Sequence, residues 1–462
     1  MLHRHLLVVA AAVLAAGGGT HAQPFDYPSA KPSTSWANTD ASLTHHVTFM
    51  DGSVARAALL RLNPAGFGPS YAFGFFCTNH RGSSPPCADF LLAVAVVYCN
   101  SGALMTSVVA GIPQVVWSAN RATPVGEGAT AEFTPTGDLV LKAADGKLVW
   151  SAGTAGKSVA GITINADGNL VILDGTGNPV WQSFDHPTDT LLVGQSLRQG
   201  ARLTANTSAA NWSPSRIYLA VADDAVAAYV DAKPPQRYYH LGFTKTAGAY
   251  AAYANGSLTV LAPAAAAPLT TIQLPAVAAG TVQYMRLEHD GHLRLYEWTS
   301  PAGWAPVFDV LRVFPDDCAF PTVCGAYGVC TEMQCSCPDA ANFRPVDFRR
   351  PNRGCVPAAP PATCATPRRA QRMLSLPGLG YFNDHDTSLR TLERVSQDAC
   401  RKACLGDCRC VAAQFIYGAD AGDGFCYLQS EVFSMETSLP EVMHYNSTMH
   451  LKVQAARNSP RF

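Results

Sequence analysis

Gly137-Asp-Leu-Val-Leu141 returns 31 residues later as Gly168-Asn-Leu-Val-Ile172, and this repeat decides the fold class of the chain. Leu148-Val-Trp-Ser151 returns at the same offset as Pro179-Val-Trp-Gln-Ser183, and a further Val115-Val-Trp117-Ser118 lies 33 residues before Trp150. Two of the units are a turn glycine, a short apolar strand and a second strand, and all three carry one tryptophan. One such unit cannot bury its apolar face alone, whereas three can, with their tryptophans meeting in a shared core. Residues 46–200 are therefore expected to form a pseudo-threefold arrangement of small sheets, with Trp117, Trp150 and Trp181 as core packing.

The rest of the chain sets the context. Its 462 residues leave room for two to four domains. A hydrophobic share of 48% excludes bulk disorder. With 33 basic and 34 acidic residues, neither the basic footprint of a nucleic-acid binder nor an acidic tail is present. The 37 glycines and 32 prolines suit a turn-rich β protein. Twelve of the 15 cysteines fall between 318 and 426, the density of small disulfide scaffolds.

The N-terminus agrees with an oxidising compartment. An apolar run, Leu6 to Ala16, follows Arg4 and precedes small residues at Thr20-His-Ala22, so 1–22 reads as a signal peptide and 23–45 as an N-terminal segment. The longest later apolar run, Phe90 to Cys99, is a buried strand and too short to span a membrane. Sequons at Asn206, Asn211, Asn255 and Asn446 are expected to be glycosylated. Cys77 and Cys87 flank a Gly-Ser-Ser-Pro-Pro loop and are expected to pair. Cys99 is then left over, either as a buried inert thiol or for intermolecular pairing.

Phe73-Gly-Phe-Phe76, Val116-Trp-Ser-Ala-Asn-Arg121, Gly168-Asn-Leu-Val171 and Trp181-Gln-Ser-Phe-Asp-His-Pro-Thr-Asp-Thr-Leu-Leu192 resemble the bulb-type lectin domain of plant S-domain glycoproteins. That resemblance implies a β-prism of three four-stranded sheets. It also implies where sugar would bind, because mannose-binding members carry Gln-x-Asp-x-Asn-x-Val-x-Tyr. In that register this chain has Asn165, Asp167, Asn169, Val171 and Leu173, so the first and last residues are changed. Asn is a methylene shorter than Gln, and Leu offers no hydroxyl to a sugar. The preceding repeat keeps only Val140 among Thr134, Thr136, Asp138, Val140 and Lys142. The carbohydrate site is thus Asn165, Asp167, Asn169 and Val171 if it exists; the alternative is that Asp167-Gly168-Asn169 is a turn signature kept for the fold. A calcium loop over Asn165-x-Asp167-x-Asn169 lacks its later ligands, so no metal and no cofactor is expected.

Residues 201–312 are similar to the S-locus glycoprotein domain, which implies a second, diverged lectin-like prism. There Glu288, Asp290, His292, Arg294 and Tyr296 replace the sugar motif. Cys318, Cys324, Cys330, Cys335, Cys337 and Cys355 look like an EGF-like module over 315–356; six cysteines allow fifteen pairings, and the resemblance implies Cys318–Cys330, Cys324–Cys335 and Cys337–Cys355. A Pro/Ala linker leads to 364–452, similar to a PAN/apple domain. Ser396 is placed to cap a short helix that sets Cys400 and Cys404 on one face. The PAN resemblance implies Cys400–Cys426 and Cys404–Cys410, leaving Cys364–Cys408, and a polar tail follows at 453–462.

The fold expectation is all-β multidomain: a bulb-type lectin prism, a second diverged lectin-like β domain, then disulfide-rich EGF-like and PAN (small α+β) modules. The family order is that of receptor-kinase ectodomains. The chain ends soon after the PAN domain, which places it nearest the secreted, kinase-less glycoproteins whose lectin domain reads Phe-Gly-Phe-Phe-Cys, as at 73–77. Gly-x-Ser-x-Gly, His-Glu-x-x-His and phosphate-loop motifs are absent, so no enzyme is expected. The functional expectation is a secreted recognition glycoprotein of the apoplast or cell wall. Its ligand is a protein or a glycan, with S-domain receptor kinases as partners, and it has no nucleic-acid partner and no membrane span. The alternative is a structural wall glycoprotein with weak polysaccharide adhesion.

Overall fold

The computed structural model describes residues 26–41, 45–77, 87–106, 112–299, 303–311, 317–360, 364–383 and 386–454. The signal-peptide reading at 1–22 and most of the tail read at 453–462 lie outside the described residues.

The repeat makes a prism. Val159–Ile164, Leu170–Asp174 and Pro179–Gln182 form one sheet, and Thr130–Phe133, Leu139–Lys142 and Leu148–Ser151 form the next. Each gains its fourth strand from residues ahead of 46: Ser29–Ala30 pairs with Val159–Ile164, and Thr34–Ala37 pairs with Thr130–Phe133. Trp36 explains the second addition, since it is buried edge-on to Phe73 with ring centres 6.3 Å apart. The third sheet has six strands, not the four that the resemblance implies. Its central strands, Phe67–Cys77 and Leu91–Asn100, are apolar on both faces. Phe73, Phe75, Leu92 and Val94 enter the prism core, while Ala72, Phe76, Leu91, Ala93 and Ala95 join a separate outer cluster with Phe49 and Val115. A sheet buried on both sides needs continuous apolar strands, and the residues from Phe90 to Cys99 supply one. Gly74 permits the bulge beside Ala57, because a Cβ there would lie 2.0 Å from the Arg56 carbonyl oxygen.

A second prism of three four-stranded sheets follows. It begins earlier than residue 201. Thr190–Leu192 pairs with Gln283–Leu287, and Ser196–Arg198 pairs with Tyr250–Ala254. The Trp181 to Leu192 signature therefore runs from one prism into the other: Leu192 lies in the first core and Leu191 in the second.

The C-terminal modules interlock. The hairpin Val329–Thr331 and Gln334–Ser336 of the first disulfide-rich module is extended by Met435–Thr437 and Leu379–Tyr381 into one four-stranded sheet, with Val329 paired in parallel to Met435. Beside it, Gln371–Pro377, Leu392–Val395, Ala412–Tyr417, Gly424–Gln429 and Asn446–Gln454 make a five-stranded sheet. The helix Gln397–Gly406 packs on this sheet through buried Cys400 and Cys404, and the Ser396 hydroxyl accepts from the Ala399 amide at 3.2 Å. One apolar cluster runs from the second prism through Phe320, Val329 and Phe343 to Tyr381, Phe433 and Met449.

Candidate functional site

The first two residues of the sugar register lie in a hairpin turn. The amides of Asn165 and Gly168 bond back within residues 165–169, and the Asp167 carboxylate accepts from the Asn169 amide at 3.2 Å. Asn165 and Asp167 are exposed. Gly168 closes the turn at φ +85°, where a Cβ would strike the Tyr71 ring and Leu192.

Asn169 points the other way. It is 6% exposed, its Nδ2 donates to Gln182 Oε1 at 2.9 Å, and its Oδ1 accepts from the Ser183 hydroxyl and the Phe184 amide. Both ends of the amide are spent on the start of the next segment. Val171 is buried, and Leu173 is half-buried on the same strand. The structure thus brings Asn165 and Asp167 together at the surface and separates them from Asn169 and Val171.

The same position is occupied in the same manner elsewhere. In the preceding repeat Asp138 accepts from Ser151 Oγ at 2.6 Å and from the Thr154 amide at 3.0 Å. In the second prism His292 Nδ1 lies 2.5 Å from Asp309 Oδ2, and its ring stacks on Phe320 at 3.6 Å. A buried polar side chain must find partners, and in all three repeats it finds them inside the protein. Around His292, Arg294 pairs with Asp290 and the Tyr296 hydroxyl donates to Glu288.

The tryptophans meet as expected from the repeat. Trp117, Trp150 and Trp181 stand edge to face in a closed triangle, with ring centres 5.8, 5.5 and 5.9 Å apart and each pair inclined by 71°. His186 stacks on Trp181, and its carbonyl accepts from Trp117 Nε1 at 2.9 Å. Sequence reasoning missed the seam between the prisms. There Arg286 is buried over the Tyr284 ring and donates to the Val115 carbonyl and to Thr190. The Tyr284 hydroxyl donates to Gln114 at 2.9 Å. No local motif marks these residues, because their partners are 96 to 171 positions away.

The structure joins Cys77–Cys87, Cys318–Cys330, Cys324–Cys335, Cys337–Cys355, Cys364–Cys408, Cys400–Cys426 and Cys404–Cys410. Cys99 is free and buried, and burial pushes its thiol up to about 11, which keeps it protonated and unreactive at neutral pH. Of the sequons, Asn211 and Asn255 are exposed and Asn206 and Asn446 half-buried. Asn206 Oδ1 accepts from Arg121 at 2.9 Å, and Asn446 Nδ2 donates to the Gly418 carbonyl at 2.8 Å. Among the described residues, no group of three or more His, Cys, Asp or Glu is placed to hold a metal ion. No described helix is long and apolar enough to cross a membrane.

A groove of about 790 Å³ opens between the second prism and the C-terminal disulfide-rich module. Its charges are largely paired, since Arg216 grips Glu431 through both terminal nitrogens and Arg409 lies 3.5 Å from Asp407.

Comparison with known proteins matches residues 114–213 to the family described as D-mannose binding lectin. EP1-like glycoprotein 4 of Arabidopsis thaliana is 30% identical over 353 residues, covering 69% of this chain and 74% of the relative. Epidermis-specific secreted glycoprotein EP1 of Daucus carota is 30% identical over 269 residues, covering 49% of this chain and 68% of the relative. The G-type lectin S-receptor-like serine/threonine-protein kinase SD2-5 of Arabidopsis thaliana is 24% identical over 338 residues, covering 70% of this chain but 39% of the kinase. With its lectin-type repeat, its second prism and these relatives, the chain belongs to the family of EP1-like glycoproteins, which shares its lectin architecture with the G-type lectin S-receptor kinases.

Proposed function

We propose that the protein is an extracellular recognition glycoprotein that binds a glycan or protein ligand and performs no catalysis. Its ligand surface lies outside the inherited mannose register. One observation carries this reading: the Asn169 amide, which a lectin would turn toward sugar hydroxyls, is consumed by Gln182, Ser183 and Phe184. Opening it to a sugar would take the acceptor from the buried Ser183 hydroxyl and from the Phe184 amide. The likeness to secreted EP1 and to the receptor kinases supports an extracellular setting and makes S-domain receptor ectodomains the first partners to test. The apoplast or cell wall is the compartment this reading assigns.

The test uses the purified glycosylated chain and an Asn165→Ala, Asp167→Ala variant; both side chains are exposed, so the fold should survive. On a glycan array, the two proteins are expected to give the same profile. Saturable binding to an S-domain receptor ectodomain, measured beside it, should be equal for both. Mannose-type binding that disappears in the variant would overturn the reading and restore the degenerate register as a lectin site.

A further inference from the structure

We infer that the tip of the EGF-like module is a docking site for a carboxylated polysaccharide, a polyuronate chain. The strands Phe343–Pro345 and Cys355–Pro357 pair, and the segment between them forms the tip. Alternation turns Phe343 into the core and Arg344, Val346 and Phe348 outward, beside Val356 on the partner strand. This reverses the usual pattern of a soluble hairpin. Phe348 is 84% exposed, Val346 52% and Val356 37%. Arginines surround them: residues 344–353 carry four Arg and one Asp, in a chain whose formal net charge is −1.

These arginines are largely unspent. Arg350 lies 3.6 Å from Asp347. Arg344, Arg349 and Arg353 are exposed and make no ion pair or side-chain hydrogen bond among the described residues. The backbone beneath them is fixed. Asp347 accepts from the Arg349 amide, the Val346 amide bonds to the Gly354 carbonyl, and the Cys337–Cys355 bridge ties the base to the neighbouring hairpin. Little ordering is then needed on binding.

Charge complementarity selects the occupant. A guanidinium takes a carboxylate through two parallel hydrogen bonds. An exposed phenyl ring and two valines offer an apolar bed for the C–H face of a sugar. A polyuronate presents both features along one chain, a carboxylate and a C–H face at every residue. The inference rests on the extracellular setting proposed above but on nothing in the prism.

The experiment is calorimetric binding of the full glycosylated chain to polygalacturonate, with fully methyl-esterified polygalacturonate as the uncharged control. Binding is expected to the acid form only, weakening as salt rises. Arg349→Ser with Arg353→Ser should lose about 5- to 30-fold. Phe348→Ala should lose about fivefold with the salt dependence unchanged. The prism variant Asn165→Ala, Asp167→Ala should bind like the parent, which separates this site from the prism reading. Equal binding to the esterified polymer overturns the inference, as does an unaffected arginine variant. Absence of polygalacturonate binding, with the variants differing from the parent only in self-association on sedimentation, assigns the tip to a protein contact and also overturns it.

Discussion

The two prisms are built on one repeat and end in opposite ways. The first closes on itself. Its tryptophans meet in a triangle, its long central sheet is buried on both faces, and its core cluster holds few residues from elsewhere. Among its described residues the second has no such triangle. Tyr284, Tyr296 and Trp304 pack toward the first prism, and the rest of its core continues into the two disulfide-rich modules. The residue that a lectin would spend on sugar follows the same division. In the first prism Asn169 ties its own sheet together, whereas in the second His292 is covered by Phe320 of the next module. A prism that keeps its closure can stand as a unit, and one that gives it up becomes a joint.

Three perturbations test this contrast. The largest effect is expected from Trp117→Ala, which removes two edge-to-face contacts and the hydrogen bond to His186; it should cost about 3–5 kcal/mol. Calorimetry should show the first prism melting early while the C-terminal transition stays in place. A single displaced transition would mean that the prisms are not separable. The next concerns His450, buried in the five-stranded C-terminal sheet beside Ser375. Burial first, and then Arg401, lower its pKa to about 4, below the ordinary imidazole value. The neutral form is therefore favoured by folding. Stability is complete above pH 6.5 and falls as pH drops toward 4, by about 2–3 kcal/mol. Chemical denaturation at pH 7 and pH 4 should show this fall in the parent and a smaller one in His450→Gln. The smallest effect is expected from Tyr381→Phe. Its hydroxyl donates to Gln236 of the second prism and accepts from the Phe433 amide, so the loss should be about 1–2 kcal/mol. Only the C-terminal transition should move.

Much of this was legible locally. A 31-residue offset with one tryptophan per unit points to a threefold arrangement of small sheets, because it states which strands are equivalent; the prism itself came from the family resemblance. Ser396 and the spacing of Cys400 and Cys404 specify the helix. The register of Asn165, Asp167, Asn169 and Val171 was readable as altered, but the inward turn of Asn169 was not, since Gln182 and Ser183 carry no mark as its partners. The added strands Ser29–Ala30 and Thr34–Ala37 were missed for a related reason. Strands of two to four residues have almost no periodicity, and their pairing, Thr34 to Phe133 and Ser29 to Thr163, depends on the assembled sheet. The shared use of Thr190–Leu192 escaped notice because its apolar residues suit either core.

The parallel pairing of Val329 with Met435 also bears on biosynthesis. The neighbouring contact between Thr331 and Thr437 spans 106 residues. At about 5–20 residues per second, the hairpin emerges roughly 5–20 s before the strand that completes its sheet. During that interval it presents an open edge, which invites pairing with other chains. Its own bridges span only 12, 11 and 18 residues, so all the cysteines needed to hold it have already left the ribosome. Early oxidation in the secretory lumen would thus guard a half-built sheet until the tail arrives.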